Sequence, residues 1–229
     1  MKQDEKEASM LAATRKPKLV IFDCDGVLVD SEPIFNRVLH EFLLSCGAEL
    51  SFSECCNTFT GKNKDAVEDF LSAKGLFIPE NWSDQFYRQA LEALGREVTP
   101  IRGVETVIEE LSAAGVKLCV ASNGIQAKME VTLSRTQLLS RFEGNIFSAY
   151  DIGLSKPAPD VFLHAAQSNG CQPSDCVVIE DSPSGFEAAS NARMRCYAYL
   201  PDRESKEPNL FGAYEFNDMS ELPNLLGLV

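Results

Sequence analysis

Apolar and polar positions change rhythm twice along the chain. Leu19, Val20, Ile21 and Phe22 form a short, continuous apolar run, the pattern of a strand whose two faces are both covered. The run halts abruptly at Asp23-Cys24-Asp25-Gly26. From about Ser31 to Leu94 the spacing becomes helical. Ile34, Phe35, Val38, Leu39, Phe42 and Leu43 make one helical face. Ala66, Val67, Phe70 and Leu71 repeat the pattern, as do Phe86, Tyr87, Ala90, Leu91 and Leu94. No strand-like run interrupts them, so the stretch predicts a small all-helical unit.

After Pro100 helices and strands alternate. The pattern predicts a helix over Val104–Ala114 with Gly115 as its cap, then a strand over Val116–Ala121. A helix carrying Val131, Leu133 and Leu138 follows, then a short strand at Asn145–Ser148. Helix Val161–Ser168, strand Cys176–Ile179, helix Phe186–Ala192 and strand Cys196–Leu200 complete the series. Such alternation implies an α/β fold, a parallel sheet with helices on both faces. The helical unit is then an insertion after the first strand. The expected division is a mobile tail at 1–16, an α/β core from 17–30 and 99–229, and a helical insert at 31–98.

Composition narrows the picture. A length of 229 residues, 45% hydrophobic and 24% charged, suits a globular protein that needs no staples to fold. The formal net charge is −13, and the tail, with four basic and three acidic groups, does not supply it. An acidic surface repels nucleic-acid backbones and anionic lipid, so neither is expected as a partner. Eight cysteines without a CxxC pair, and only two histidines, argue against a zinc site. Reduced, buried thiols in a cytoplasmic monomer are expected instead. The charged N-terminus does not read as a secretory signal, and no apolar run approaches the ~20 residues of a membrane span. Neither His40 nor His164 lies near a Gly-x-Ser-x-Gly, which leaves Ser-His-Asp chemistry without support.

The chemistry gathers at predicted strand ends, where open parallel sheets hold their ligands. The first strand delivers Asp23 and Asp25, the second Ser122 and Asn123, and the fourth Glu180 and Asp181. Lys156 precedes Pro157-Ala158-Pro159, which stiffens its loop. The three aspartates have no basic partner in their own loops and repel one another unless a hard cation joins them; Mg²⁺ is the common choice beside phosphate. The set suggests phosphoryl transfer. Asp23 is the candidate nucleophile, and Asp25 the candidate acid and base. Ser122, Asn123 and Lys156 are candidate phosphate ligands, and the strand-end carboxylates candidates to hold the cation.

The segments Phe22–Ser31, Val120–Gly124, Ser155–Phe162 and Val178–Gly185 resemble, in order, the four signatures of the haloacid dehalogenase (HAD) superfamily. That resemblance implies a Rossmann-like core with a helical cap inserted after the first motif. It makes Asp23 nucleophile and metal ligand, Asp25 acid/base and ligand through its carbonyl, Asp181 a metal ligand, and Ser122 and Lys156 phosphate ligands. The expected activity is Mg²⁺-dependent hydrolysis of a small phosphorylated substrate, a sugar phosphate, since the motifs also resemble those of bacterial 6-phosphogluconate and related sugar phosphatases. Dehalogenases lack the second aspartate, which is present here as Asp25. β-Phosphoglucomutases, the alternative activity, carry a histidine where this chain has Phe35. The further alternative is a catalytically weak binding protein of the same fold. Relatives have Ala-Gly-Met where this chain has Ala192-Arg193-Met194, a departure that touches a helix cap.

Several residues carry plainer expectations. Glu180 reads as a neighbour that supports the ligands, and Cys24 as a core thiol. Cys55-Cys56 reads as a packed helical pair and His164 as a helix residue. The turn Gly61-Lys62-Asn63-Lys64 is a candidate substrate contact of the cap through Lys62 and Lys64, in competition with an ordinary exposed helix start.

Overall fold

A computed structural model describes residues 16–60, 62, 64–201 and 208–228. Strand β1 (Leu19–Phe22) shows no alternation because every one of its side chains is buried. It is the middle of a six-stranded sheet in the order β3-β2-β1-β4-β5-β6, with every pairing parallel. The other strands are β2 (Lys117–Ser122), β3 (Ile146–Ser148), β4 (Cys176–Glu180), β5 (Arg195–Tyr199) and β6 (Tyr214–Phe216). Ile21 lies level with Cys119 on one side and Val178 on the other. Chain order runs outward from β1 through β2 to β3, then restarts on its far side with β4. That reversal opens a crevice at the carboxyl ends of β1 and β4, where such sheets bind ligands.

One sheet face shows how the sequence covers it. Leu19 and Ile21, Cys119 and Ala121, Cys176 and Val178, and Cys196 and Ala198 alternate onto that face. They meet Val161, Phe162 and Ala165 of α8 (Asp160–Ser168) and Phe186 and Ala189 of α9 (Pro183–Asn191). Helices α5 (Val104–Ala113), α6 (Gln126–Arg135) and the short α7 (Ala149–Ile152) occupy the remaining connections, and α10 (Leu222–Leu225) follows β6.

The chain divides into two units: residues up to Val29 with those from Pro100 onward, and Asp30–Thr99. The second unit contains α1 (Glu32–Ser45), α2 (Phe52–Phe59), α3 (Lys64–Ala73) and α4 (Trp82–Glu97). Its core gathers Val38, Leu39 and Leu43 with Phe59, Leu71, Trp82 and Phe86, and Phe42 stacks on Trp82 at 5.0 Å. Ser51 and Glu54 close a capping box that starts α2. Among the described residues no helix is long and apolar enough to cross a membrane.

Two helix ends depart from the sequence pattern. The helix expected to reach Leu138 stops at Arg135, because Gln137 turns left-handed (φ 61°). Leu138 then donates its N–H to Leu133 O, and its buried side chain closes the cap. Arg193 does the same job after α9 at φ 57°, with Met194 N–H bonded to Ala189 O at 3.0 Å. The cap that glycine would make is therefore kept by an arginine at a conformational cost. Arg193→Gly is expected to stabilise the fold by about 1 kcal/mol, net of the freedom glycine adds to the unfolded chain. A rise of ~2–4 °C in thermal midpoint checks this, and an unchanged or lower midpoint refutes it.

Candidate active site

Asp23 extends β1 by one residue, donating its N–H to Ile179 O at 2.9 Å, so it leaves the sheet in register with β4. The chain then turns sharply, with Leu28 and Val29 N–H groups both bonded to Cys24 O. Gly26 sits at φ 76°, and a Cβ there would lie 1.9 Å from Asp181 Oδ2. Conformation and close approach both demand glycine, and they bring the loop after β1 against the carboxylate after β4. Gly185 plays the matching part in α9, where a Cβ would lie 1.9 Å from Glu180 Oε1.

The lysine that follows β3 reaches under this crevice. Lys156 is buried, and its Nζ donates to Asp23 Oδ1 at 2.5 Å, Glu180 Oε1 at 2.7 Å and Ala121 O at 2.9 Å. An ammonium has three protons, so all are used. Burial alone would lower its pKa, but Asp23 and Glu180 hold it above the ordinary lysine value, so it stays charged. Glu180 Oε2 accepts from the N–H groups of Asp181 and Ser182 and from the Ser182 hydroxyl. Ser182 Oγ in turn accepts Gly185 N–H and caps α9. Glu180 is thus the joint between the lysine and the helix.

The β2 end supplies the opposite wall. Ser122 Oγ accepts Gly124 N–H at 3.2 Å, which leaves the hydroxyl proton for donation. Asn123 Oδ1 accepts Lys156 N–H at 2.8 Å and ties this turn to the lysine loop. Lys128, in the first turn of α6, pairs with Asp25 Oδ1 at 2.9 Å. Sequence reading missed Lys128; its signal is a lysine six residues beyond Ser122, in a helix start where cations are disfavoured. Basic partners for Asp23 and Asp25 therefore exist, contributed by the loop before α8 and by α6.

Electrostatics follow from burial. Burial pushes the Asp23 carboxyl up to about 7; Lys156 opposes the rise, and Glu180 and Asp25 add to it. Burial, then repulsion from Glu180 and Asp23, holds Asp181 well above the usual carboxylate range. Burial likewise raises the Cys24 thiol, with Asp25 and Asp23 adding to the effect, so this cysteine is a core residue and not a reactive one.

Among the described residues no three His, Cys, Asp or Glu side chains form a ready-made metal cage. Mg²⁺ does not require one, because it binds through one or two carboxylates with water and phosphate completing its shell. Asp23 and Asp181 suit that need. Both are acceptor-only groups whose ionised forms are disfavoured by burial and by neighbouring carboxylates, and the missing Cβ of Gly26 lets Asp181 approach. A hard divalent cation relieves both penalties.

Every residue above belongs to the α/β unit. Lys62 and Lys64 belong to the helical unit, where both are exposed and Lys64 opens α3. Gly61 and Asn63 of that turn, and the tail up to residue 15, lie outside the described residues.

The parallel sheet, its helical insertion and acid-rich strand ends define a class, and residues 20–199 match the haloacid dehalogenase-like hydrolase family. The chain belongs to that family, as its four motifs imply. Among its relatives is the 6-phosphogluconate phosphatase of Escherichia coli (strain K12), 30% identical over 208 residues that span 90% of this chain and 93% of that one. A HAD family hydrolase from Deinococcus radiodurans R1, solved with bound phosphate and sodium, is 30% identical with a TM-score of 0.78, covering 94% of this chain and 96% of its own. A haloacid dehalogenase-like protein from Agrobacterium tumefaciens is 32% identical with a TM-score of 0.78, covering 92% and 98%.

Proposed function

We propose that this hydrolase is a Mg²⁺-dependent phosphatase acting on a small phosphorylated metabolite, a sugar phosphate, through an aspartyl-phosphate on Asp23. The observation that carries the reading is Asp23 itself, fixed at a strand end by a charged Lys156 at 2.5 Å, with Asp25 two residues on. Asp23 attacks phosphorus as the bond to the leaving oxygen breaks, and Asp25 gives that oxygen its proton. Asp25 then takes a proton from water, whose oxygen attacks the phosphorus and frees Asp23 and inorganic phosphate. The Ser122 hydroxyl and the Lys156 charge stabilise the phosphoryl oxygens. Asp23, Asp181 and the Asp25 carbonyl would hold Mg²⁺, which supplies charge neutralisation for nucleophile and phosphate.

Hydrolysis is preferred over a mutase reaction because Phe35 supplies no titratable group. Its ring packs edge-on against Phe86 at 4.9 Å. The protein is proposed to work as a cytoplasmic monomer, its cysteines free thiols. Phosphate release from a panel of phosphorylated sugars and sugar acids, with and without Mg²⁺, tests the function. EDTA should abolish release, Mg²⁺ should restore it, and Ca²⁺ should restore it poorly because its looser shell disturbs in-line geometry. Asp181→Asn should raise the Mg²⁺ concentration needed at least tenfold; an unchanged requirement would show that Asp181 is not a ligand.

A further inference from the structure

Lys128 breaks a local rule. It stands third in α6, where the positive end of the helix dipole disfavours a cation by ~0.3–1 kcal/mol, and no acidic residue shares that first turn. The one carboxylate a turn further on, Glu130, accepts a hydrogen bond from Gln126 at 2.8 Å. The Lys128 side chain is only 17% exposed, so its charge is also largely withdrawn from water. A helix start that gathers two penalties is more informative than one that obeys propensity. The compensation is Asp25, whose Oδ1 lies 2.9 Å from Lys128 Nζ.

The other oxygen of Asp25 faces elsewhere. Oδ2 lies 3.7 Å from the point where a Cβ on Gly124 would stand, and Ser122 Oγ lies 3.6 Å from that same point. Oδ2 is therefore turned toward the Ser122-Asn123-Gly124 turn. A carboxylate with one oxygen clamped cannot rotate freely about its Cβ–Cγ bond, so the second oxygen is held on one side.

We propose that Lys128 is a positioning residue: by clamping Asp25 Oδ1 it holds Oδ2 on the side of the Ser122-Asn123-Gly124 turn, in one fixed orientation for handing a proton to the leaving oxygen. This rests on the acid/base reading of Asp25 given above. Lys128 acts through Asp25 and on no reacting atom of its own. Its removal therefore matters in proportion to how much the leaving group needs a proton.

The test compares a sugar phosphate, whose alkoxide leaves poorly, with p-nitrophenyl phosphate, whose phenolate leaves unaided. Lys128→Met should lower kcat/KM for the sugar phosphate ~30–100-fold and for p-nitrophenyl phosphate less than about fivefold. Lys128→Arg, which keeps a donor and a charge, should recover most of the loss. In an Asp25→Asn background, Lys128→Met should change p-nitrophenyl phosphate turnover by less than about twofold, since the group it positions is gone. Lys128→Gln takes the same place in the cycle should the methionine variant fail to fold. Equal losses on both substrates, or losses that multiply with Asp25→Asn, would overturn the inference while leaving the phosphatase standing. A wild-type protein that releases phosphate from no substrate overturns that reading and this inference together.

Discussion

Asp23→Asn is expected to lower kcat for phosphate release by at least three orders of magnitude, ~4–6 kcal/mol in barrier, the scale of losing a covalent nucleophile. The amide is nearly isosteric, so packing changes little, but it brings no negative oxygen to phosphorus. Wild type should carry a hydroxylamine-sensitive label from ³²P substrate on quenching, and the variant none. Near wild-type turnover by the variant would remove the mechanism. The same substitution has a thermodynamic signature of opposite sign. Asp23 ionises at about 7 in the folded chain against an ordinary 3.8, chiefly because burial disfavours its charge. A carboxyl with a raised folded pKa binds its proton more tightly when folded, so the fold loses stability as pH rises from about 4 to about 7. In EDTA, therefore, the wild-type thermal midpoint should fall across that window more than the Asp23→Asn midpoint. Parallel curves would mean that Asp23 is not desolvated as the geometry requires.

What the sequence could and could not reveal follows from where each signal lies. The four residues of β1 announce themselves because a strand covered on both faces needs an unbroken apolar run. Strand β6 does not, since it has three residues and buries only Phe216. Asp23, Asp25, Ser122, Lys156 and Asp181 stand just beyond such runs or in a proline-stiffened loop, and polar residues there are conspicuous. The structure gathers them in one crevice of the α/β unit. Lys128 is different: its partner lies a hundred residues earlier, and nothing local marks it except a cation in the wrong turn of a helix. Glu180 was visible as a neighbour of Asp181. Its junction of Lys156 with the start of α9 depends on three loops meeting, which no single stretch encodes. Arg193 shows the converse, a visible departure at a cap that the backbone nevertheless forms.

The largest stability change is expected at Lys156. Its ammonium donates to Glu180 Oε1 at 2.7 Å, and the Glu180 side chain is 1% exposed. Removing one member of a buried ion pair leaves the other desolvated without compensation, which typically costs ~3–5 kcal/mol, far more than the pair itself contributes. Lys156→Met preserves most of the apolar stem and removes the ammonium, whose Nζ lies 4.8 Å from the centre of the Phe162 ring, so the loss reports the charge and not a cavity. Urea unfolding should show this loss, and a variant within about 1 kcal/mol of wild type would mean that water or a rotated side chain satisfies Glu180. Lys156→Met strands Asp23 as well as Glu180; adding Glu180→Gln removes the second of these charges and should restore part of the stability, because an amide still accepts from Asp181 N–H and Ser182 N–H. It should restore none of the activity. Asp23 would still lack the cation at its Oδ1 and the phosphoryl oxygens the positive charge beside them, so stability and turnover separate in the double variant. Recovery of both together would instead make Lys156 a structural strut for α9, with no part in the chemistry.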